Sequence, residues 1–413
     1  MNKKVMILGA GEGQVPFIKI CKDRGDKVIV VSIPGDYPGF ALSDKNYFID
    51  TRNKEEILRV AVSEKIDAIL TDQTDVSVTT VAYVSEKLGL RGIGYNTSLK
   101  FTNKYLMREA AEKTGVAVPK FKKVESIEEA LSVAEKIGYP VMIKPTDSSG
   151  SRGVYKICSP DELEKNFIIS KNFSTKGEVI IEQFITGREY LVDGFAMDNK
   201  YINLDFGVKE YFDSKNVFVS KMCMFMSASC SHSDIEEKVL NTNKKLVEGM
   251  KLKFGITHAE YLYNEADGNV YLVEVAARGG GVFLSSDITP TATGFNSNKV
   301  LIDYVVDGKS FDIDNIVLKD NISAWVCFSF PTGNIIDIKG IEATKNICGV
   351  YKVDMRDVYI GKQTHVLRDD GDKYGPILIV ASSREECYDI IDQVKKTISI
   401  KVKTNDSIEN LIW

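Results

Sequence analysis

Cysteine and histidine are scarce in this sequence, and their spacing is uninformative for metal binding. The chain has 7 cysteines and 3 histidines among 413 residues. No two cysteines have the Cys-x-x-Cys spacing, so neither a disulfide framework nor a zinc site is expected. So few histidines also disfavour a histidine-based metal centre.

Long apolar runs and excess positive charge are also missing. The apolar run near the N-terminus covers residues 5–8 before Gly9, which is too short for a signal peptide or a membrane span. The formal net charge is -5, so the positive charge typical of nucleic-acid-binding proteins is absent. We therefore expect a cytoplasmic protein that binds small molecules, without nucleic acid or membrane as a partner.

What the sequence does have is the composition of a folded protein of several domains. Hydrophobic residues make up 44% and charged residues 27%, which excludes a disordered or fibrous chain. Apolar runs near 4–8, 28–32 and 68–71 predict strands, and periodic stretches near 15–21, 54–64 and 76–88 predict helices between them. This alternation is typical of a parallel sheet covered by helices, in a first domain that ends near residue 95.

Beyond about residue 120 the order of predicted helices and strands changes. The pattern predicts a helix at 127–137, a strand at 141–144 and, from 178 to 226, mainly strands. A long helix is expected from Asp234 to Phe254, ended by Gly255, and a last unit from about 320 to 413. Ser126, Ser159 and Ser383 are predicted helix N-caps, the last two with a glutamate that completes a capping box.

The glycine turn at 9–13 is a first candidate site. Gln14 stands where a dinucleotide-binding fingerprint has glycine. A tight turn whose helix N-terminus contacts an anionic substrate therefore competes with NAD binding, and we favour the turn.

Lys144 ends an apolar strand, where an unpaired ammonium would be costly to bury. A lysine at a strand end often extends to water. Here, however, a small, polar loop rich in serine and glycine follows at 146–153, and its amides could approach phosphate oxygens. Together the lysine and the loop predict a phosphate site.

The segment 179–185 is an apolar strand interrupted by Glu182. Main-chain groups beyond Glu182 could contact the edge of an adenine, and Glu189 could accept hydrogen bonds from ribose hydroxyls. An equally good interpretation makes Glu189 a surface carboxylate paired with a lysine.

Two acidic residues are predicted to face each other across a hairpin. If Ala266-Asp267-Gly268 forms the turn, Glu260 lies directly opposite Glu274. Opposed Cβ atoms are about 4.5–5.5 Å apart, and like charges there destabilise the hairpin unless a cation lies between them. With nucleotide phosphates as further ligands, magnesium is the expected ion; the alternative is a solvated pair.

Arg278 shares a face with Glu274 if the strand continues, and three glycines follow it. An arginine beside metal-held phosphates would stabilise charge on a transferred group. His258 lies on the face of Glu260, and we interpret it as a packing or supporting residue.

These residues, in this order, resemble the ATP-grasp superfamily of carboxylate ligases, over nearly the whole chain. The resemblance implies an N-terminal Rossmann-like domain at 1–97, an α+β ATP-grasp domain at 98–315 with a lid at about 120–185, and a small C-terminal α+β domain at 316–413. It implies that ATP and Mg²⁺, as two ions with Mn²⁺ as a substitute, are bound. The implied catalytic residues are Lys144, which would hold ATP phosphates, and Arg278, which would steady an acyl phosphate. The implied metal ligands are Glu260 and Glu274. The implied ATP-binding residues are Lys104, Lys144, Ser148, Ser149, Gly150, Ser151, Gly153, Glu182, Gln183, Phe184, Ile185 and Glu189.

The predicted activity is ATP-dependent ligation of a small carboxylate to an amine through an acyl phosphate, in a chain that could form homodimers. Ala276 replaces the family's usual asparagine, so either Glu274 bridges two metals with water filling the gap, or the second ion binds more weakly. Gly11, Asp72, Ser285 and Arg356 are candidates for the acceptor pocket. The alternatives are a glycine-using purine enzyme, a bicarbonate-phosphorylating carboxylase, a nucleotide-binding regulator and an NAD-dependent oxidoreductase.

Overall fold

A computed structural model describes residues 2–150, 152–213, 219–230, 232–368 and 370–413. The chain forms two compact units. The first contains 1–204, 232–287 and 296–317, and the second contains 205–231, 288–295 and 318–413. The three-domain division expected from the sequence stays a prediction. Among the described residues, no helix has both the length and the apolar character needed to span a membrane.

The N-terminal part of the first unit is a parallel sheet with strand order β3-β2-β1-β4. Its strands are β1 Lys4–Leu8, β2 Lys27–Ser32, β3 Lys45–Phe48 and β4 Ala68–Leu70. Its helices are α1 Val15–Asp23, α2 Pro38–Leu42, α3 Lys54–Glu64 and α4 Val78–Leu88. The expected alternation is confirmed, and Ile57 and Ala61 of α3 pack with Met6 and Ile29 in one buried cluster.

Two helices, α5 Tyr95–Lys100 and α6 Lys104–Thr114, lead to a small antiparallel sheet of order β5-β8-β6-β7. Its elements are β5 Phe121–Val124, α7 Ile127–Ile137, β6 Val141–Pro145, β7 Tyr155–Ile157, α8 Pro160–Asn172 and β8 Val179–Gln183. One face of this sheet packs on α7 and α8 around Ile143, Ile181 and Leu163. The other face is therefore free to carry polar side chains.

The remaining strands of the first unit are β9 Arg188–Met197, β12 Gly255–Tyr263 and β13 Val270–Ala276, and β12 pairs antiparallel with both neighbours. Helix α9 covers Asp234–Met250, and α11 covers Ser297–Asp307. The expected end of α9 at Gly255 is wrong. The helix ends at Met250, its C-cap Lys251 adopts a left-handed φ of 60°, and Gly255 begins β12.

The second unit is mostly antiparallel sheet. Strand β10 Lys200–Tyr211 continues into this unit, where β11, β14, β18 and β16 pair successively, and β15 pairs with β17 and β19. Its elements are β11 Ser220–Ser227, α10 Thr289–Thr293, β14 Ile322–Phe328, β15 Gly333–Lys339, α12 Ile341–Lys345, β16 Val350–Val353, β17 Gln363–Thr364, β18 Tyr374–Ala381, α13 Arg384–Thr397, β19 Ser399–Lys403 and β20 Ile408–Asn410.

Candidate active site

Glu260 and Glu274 lie directly opposite each other on β12 and β13, as expected. The expected reason for this register is wrong. The turn runs from Asn264 to Asn269, and the pairing of Tyr263 with Val270 would place Glu260 opposite Val273. A β-bulge leaves Val273 without a partner in β12 and restores the pairing of the two glutamates.

A side chain of helix α6 forms a hydrogen bond with the bulge. The carbonyl of Val273 accepts a hydrogen bond of 2.8 Å from Nη2 of Arg108 on α6. Because a bulge frees one carbonyl from the ladder, a long side chain can take it. Arg108 is fully buried and was not among the site residues predicted from the sequence.

Each of the opposed carboxylates has a nitrogen group beside it. The ammonium of Lys104 lies 3.1 Å from Oε1 of Glu274, and Nε2 of His258 lies 3.6 Å from Oε1 of Glu260. The other ring nitrogen of His258 lies 3.0 Å from Asp193. Burial would lower the pKa of His258, but the carboxylates of Asp193 and Glu260 outweigh it and raise this pKa to about 9.

Lys104 connects this hairpin to the glycine loop. It is the first residue of α6 and is 6% exposed. Its backbone N–H donates to the carbonyl of Thr146 at 2.7 Å, and its ammonium donates to the carbonyl of Ser148 at 2.7 Å. The start of the loop and the carboxylate of Glu274 therefore share one ammonium.

The rest of the glycine loop is shaped by its two glycines. Gly150 and Gly153 have φ angles of 66° and 75°, which L-residues rarely adopt. A Cβ atom at Gly153 would also lie 2.9 Å from Phe173 and Pro145. Ser149 accepts a hydrogen bond of 3.1 Å from Nε of Arg152. Ser151 lies outside the described residues.

The ammonium of Lys144 forms an ion pair with the carboxylate of Glu182. Antiparallel pairing of β6 with β8 puts the two side chains on one face, with Nζ of Lys144 2.7 Å from Oε2 of Glu182. Nε of Arg108 donates to Oε1 at 2.7 Å. Burial raises the pKa of Glu182, but these two cations outweigh it and lower this pKa to about 2. The carboxylate is thus a charged, buried anchor for both cations.

Few backbone N–H groups in the segment after Glu182 are available to donate hydrogen bonds to a ligand. The N–H of Gln183 donates to Lys120 and the N–H of Phe184 donates to Pro140. In the described part of the chain, the N–H of Ile185 has no hydrogen-bond partner. Lys156 lies 4.1 Å above the ring of Phe184, and Glu189 is the second residue of β9, opposite Leu262.

Arg278 lies beyond the strand that was expected to carry it, because β13 ends at Ala276. Its guanidinium donates two hydrogen bonds, of 2.9 Å and 2.7 Å, to the carboxylate of Asp75. Burial would lower the pKa of Arg278, but Asp75 and the nearby Glu274 and Asp72 raise it. Asp75, which was not among the site residues predicted from the sequence, is therefore its closest anionic partner among the described residues.

Asp72 fixes the loop that follows Arg278. Its carboxylate accepts hydrogen bonds from the N–H of Gly279 at 2.9 Å and from Oγ of Ser285 at 2.7 Å. Burial raises the pKa of Asp72 to about 6 despite these donors. Of the four acceptor-pocket candidates, Asp72 and Ser285 are thus in contact, whereas Arg356 lies in the second unit, paired with Asp354.

Gln14 fills the glycine turn of the first strand-helix connection. Its Oε1 accepts the N–H of Gly11 at 3.1 Å, and its Nε2 donates to the carbonyl of Asp72 at 2.5 Å. The N–H of Gly9 already donates to Val31. Because a pyrophosphate needs free amides in this turn, the geometry disfavours the NAD interpretation.

The donor set suits a hard cation with phosphate co-ligands. Among the described residues, no three His, Cys, Asp or Glu side chains form a metal cage. Magnesium is usually held by one or two carboxylates together with water and phosphate oxygens. Glu260 and Glu274 could supply that pair, and Lys104, which contacts Glu274, is placed to bind the phosphates.

Comparisons with known proteins agree with this geometry. Residues 137–287 match the model of the ATP-grasp domain. The carbamoyl phosphate synthase large chain of Clostridium botulinum (strain Kyoto / Type A2) is 27% identical over 294 residues, which are 67% of this chain and 27% of that protein. Alanine–anticapsin ligase of Bacillus subtilis (strain 168) is 28% identical over 301 residues, 67% of this chain and 62% of that protein. The match thus spans about a quarter of the length of the synthase.

Solved structures resemble nearly the whole chain. L-amino acid ligase from Bacillus licheniformis has a TM-score of 0.79 at 21% identity, covering 98% of this chain and 99% of that one. Phosphoribosylglycinamide synthetase from Anaerococcus prevotii has a TM-score of 0.76 at 20% identity, covering 98% and 100%. At these identities the likeness shows the fold. Residues 137–287 therefore match an ATP-grasp domain, and the chain as a whole has the fold of these solved structures.

Proposed function

We propose that this protein is an ATP-dependent carboxylate-amine ligase. A substrate carboxylate attacks the γ-phosphate of ATP and forms an acyl phosphate with release of ADP. An amine then attacks the acyl carbon and releases phosphate, which leaves a new C–N bond. The carboxylate and the amine are small molecules, and two relatives whose names specify amino acids, alanine–anticapsin ligase and L-amino acid ligase, support this class of chemistry.

The observation that carries the proposal is the opposed pair of Glu260 and Glu274 with Lys104 beside it. Two facing carboxylates repel each other unless positive charge lies near them. Lys104 and His258 supply part of that charge. A magnesium ion bound to the two carboxylates would supply the rest, neutralise the phosphate oxygens and hold them in line for attack.

The protein's own residues would then bind and orient the nucleotide. Lys144 precedes the glycine loop, and Lys104 donates to the Ser148 carbonyl within it. Both lysines would contact phosphate oxygens, and the amides of Ser148, Ser149, Gly150 and Gly153 would close over them. The free N–H of Ile185 would face the adenine, while Gln183, Phe184 and Glu182 shape that subsite. Glu189 would accept the ribose hydroxyls, as proposed from the sequence.

The number of ions is part of the proposal. Ala276 lies opposite His258 in the β12-β13 ladder and has no polar side chain to offer a second ion. We expect two magnesium ions, the second one held more weakly, with manganese as a substitute. A homodimer is the proposed assembly.

The test is a magnesium-ATP turnover screen. ADP release and hydroxylamine trapping of the acyl phosphate are measured with a panel of amino acids, other carboxylic acids and bicarbonate, each with and without amines. Hydroxamate should form with at least one acid and disappear in Lys144→Ala, while Lys122→Ala, an exposed lysine of the same sheet, keeps wild-type rates.

Failure of every acid and amine to release ADP would contradict the proposal. If magnesium-ATP still bound to the protein in that case, a nucleotide-binding regulator would be the better account. A response to bicarbonate alone would favour a carboxylase, and a response to glycine with a phosphoribosylamine would favour a purine enzyme.

A further inference from the structure

Arg278 makes three hydrogen bonds and has donors to spare. Nε and Nη2 donate to Asp75, and Nη1 donates to the carbonyl of Gly279 at 3.0 Å. A guanidinium has five N–H bonds. One N–H on each terminal nitrogen is therefore without a partner among the described residues, and Nη2 uses its other N–H for Asp75.

The pair is partly buried and held by a rigid loop. The side chains of Arg278 and Asp75 are 13% and 14% exposed. A Cβ atom at Gly279 would lie 2.4 Å from Oγ of Ser285 and 2.5 Å from Oδ1 of Asp72, so no larger residue fits there. Val282 and Phe283 have φ angles of 55° and 62°, which are unusual for such residues and concentrate at functional sites.

Asp75 itself lies where a ligand of the parallel sheet is expected. It follows β4, in the segment between the carboxyl end of that strand and α4. Ligands of open parallel sheets bind outside the carboxyl ends of the strands. In the same segment Gln73 has a φ of 54°, a conformation that is uncommon for residues other than glycine and that recurs at functional sites.

The electrostatics of this pair restrict what can bind to Arg278. A simple carboxylate on the free N–H groups would lie next to the negative charge of Asp75, and like charges at short range repel strongly in a partly buried site. A carboxylate that carries its own ammonium on the adjacent carbon avoids this repulsion. Its ammonium can donate to the lone pairs of Asp75 that Arg278 leaves free.

We propose that Arg278 and Asp75 select an α-amino acid zwitterion as the carboxylate substrate, Arg278 binding its carboxylate and Asp75 its α-ammonium. The inference rests on the proposed ligase function and adds the substrate class. A hydrogen-bonded carboxylate also keeps the ammonium protonated, so the α-nitrogen of this substrate is not the amine that attacks. The attacking amine belongs to a second molecule.

The test compares amino acids with the α-hydroxy acids of the same side chain, such as L-alanine with (S)-lactate. Hydroxamate formation gives kcat and KM for each pair, and calorimetry gives their affinities in the presence of a non-hydrolysable ATP analogue. The wild-type protein should prefer the amino acid roughly 10-fold to 150-fold, the range of a hydrogen bond to a charged group. Asp75→Asn should reduce this preference to within a few-fold by raising the KM of the amino acid, and Asp75→Glu should retain part of it.

Asp50→Asn is the matched control, since Asp50 also makes a two-point contact with an arginine, Arg52, but on the exposed surface; its kinetics should match the wild type. An equal loss for both members of each pair in Asp75→Asn would show that Asp75 merely supports Arg278 and would overturn the inference. Equal or better use of hydroxy acids or bicarbonate by the wild type would overturn it too, while leaving acyl-phosphate chemistry intact. No ADP release with any acid would instead remove the proposed function.

Discussion

Replacing Glu182 by glutamine should cost the first unit more stability than most single changes. Glu182 is 1% exposed and neutralises Arg108, which is fully buried, and Lys144, whose side chain is 12% exposed. Removing one partner of a buried ion pair typically costs about 3–5 kcal/mol. Here two cations would be left facing each other, so we expect a loss near the upper end, about 5 kcal/mol.

The assay must report the stability of the first unit, which contains Glu182. Both tryptophans, Trp325 and Trp413, lie in the second unit, so intrinsic tryptophan fluorescence would miss the change. Hydrogen exchange of the amides in β6 and β8 reports it directly. A loss of about 5 kcal/mol should lower their protection by more than about 1,000-fold, because every 1.4 kcal/mol is a factor of ten.

Two comparisons sharpen the result. Glu178→Gln breaks a partly exposed pair with Lys123 in the same sheet and should cost less than about 1 kcal/mol. In a cycle with Lys144→Met, the double variant should lose less stability than the two single variants together, since each change then removes a charge that the other has left unpaired. A cost below about 1 kcal/mol for Glu182→Gln would refute the view that this carboxylate holds the two cations in place.

Three further predictions concern titration and thiol reactivity. The pKa of His258 is raised to about 9 from 6.5, so its stabilising contribution is full below pH 6.5 and is lost as the pH rises through 9; His258→Gln should flatten the fall in unfolding free energy between pH 7 and 10. Asp72, with a pKa raised to about 6 from 3.8, should favour the folded state most below pH 3.8 and progressively less as the pH rises through 6, a trend that Asp72→Asn should remove from urea titrations. In native protein, a thiol reagent should label the exposed Cys158 and Cys348 quickly. Burial raises the pKa of Cys21 and Cys387 to about 12, so these two thiols should react only after unfolding. Fast modification of Cys21 in folded protein would contradict this prediction.

Local signals in the sequence predicted local structure well. Ser126, Ser159 and Ser383 accept the expected N–H bonds at the starts of α7, α8 and α13. A cap depends on residues within one turn, so the sequence specifies it directly. The capping boxes were less accurate, because Glu162 accepts from Cys158 and Glu386 from Ser382, each one residue before the cap.

The candidate site was predictable where it depends on strand pairing and unpredictable where it depends on distant partners. Glu260 and Glu274 were found by counting across a hairpin, although the bulge at Val273 that makes the count correct gave no signal. Arg108 meets Glu182 across 74 positions, and Arg278 meets Asp75 across 203. Such pairs are set by how helices and sheets pack, and no periodicity or spacing encodes them.

Magnesium-dependent nucleotide binding tests the central claim most directly. Isothermal titration of a non-hydrolysable ATP analogue is run with magnesium and with a chelator, on wild-type protein, Glu260→Gln and Glu274→Gln. We expect magnesium to tighten binding by at least about tenfold in the wild type and to have little effect in either variant. Equal affinity with and without magnesium in the wild type, or an unchanged magnesium effect in both variants, would contradict the assignment of these two carboxylates to the metal.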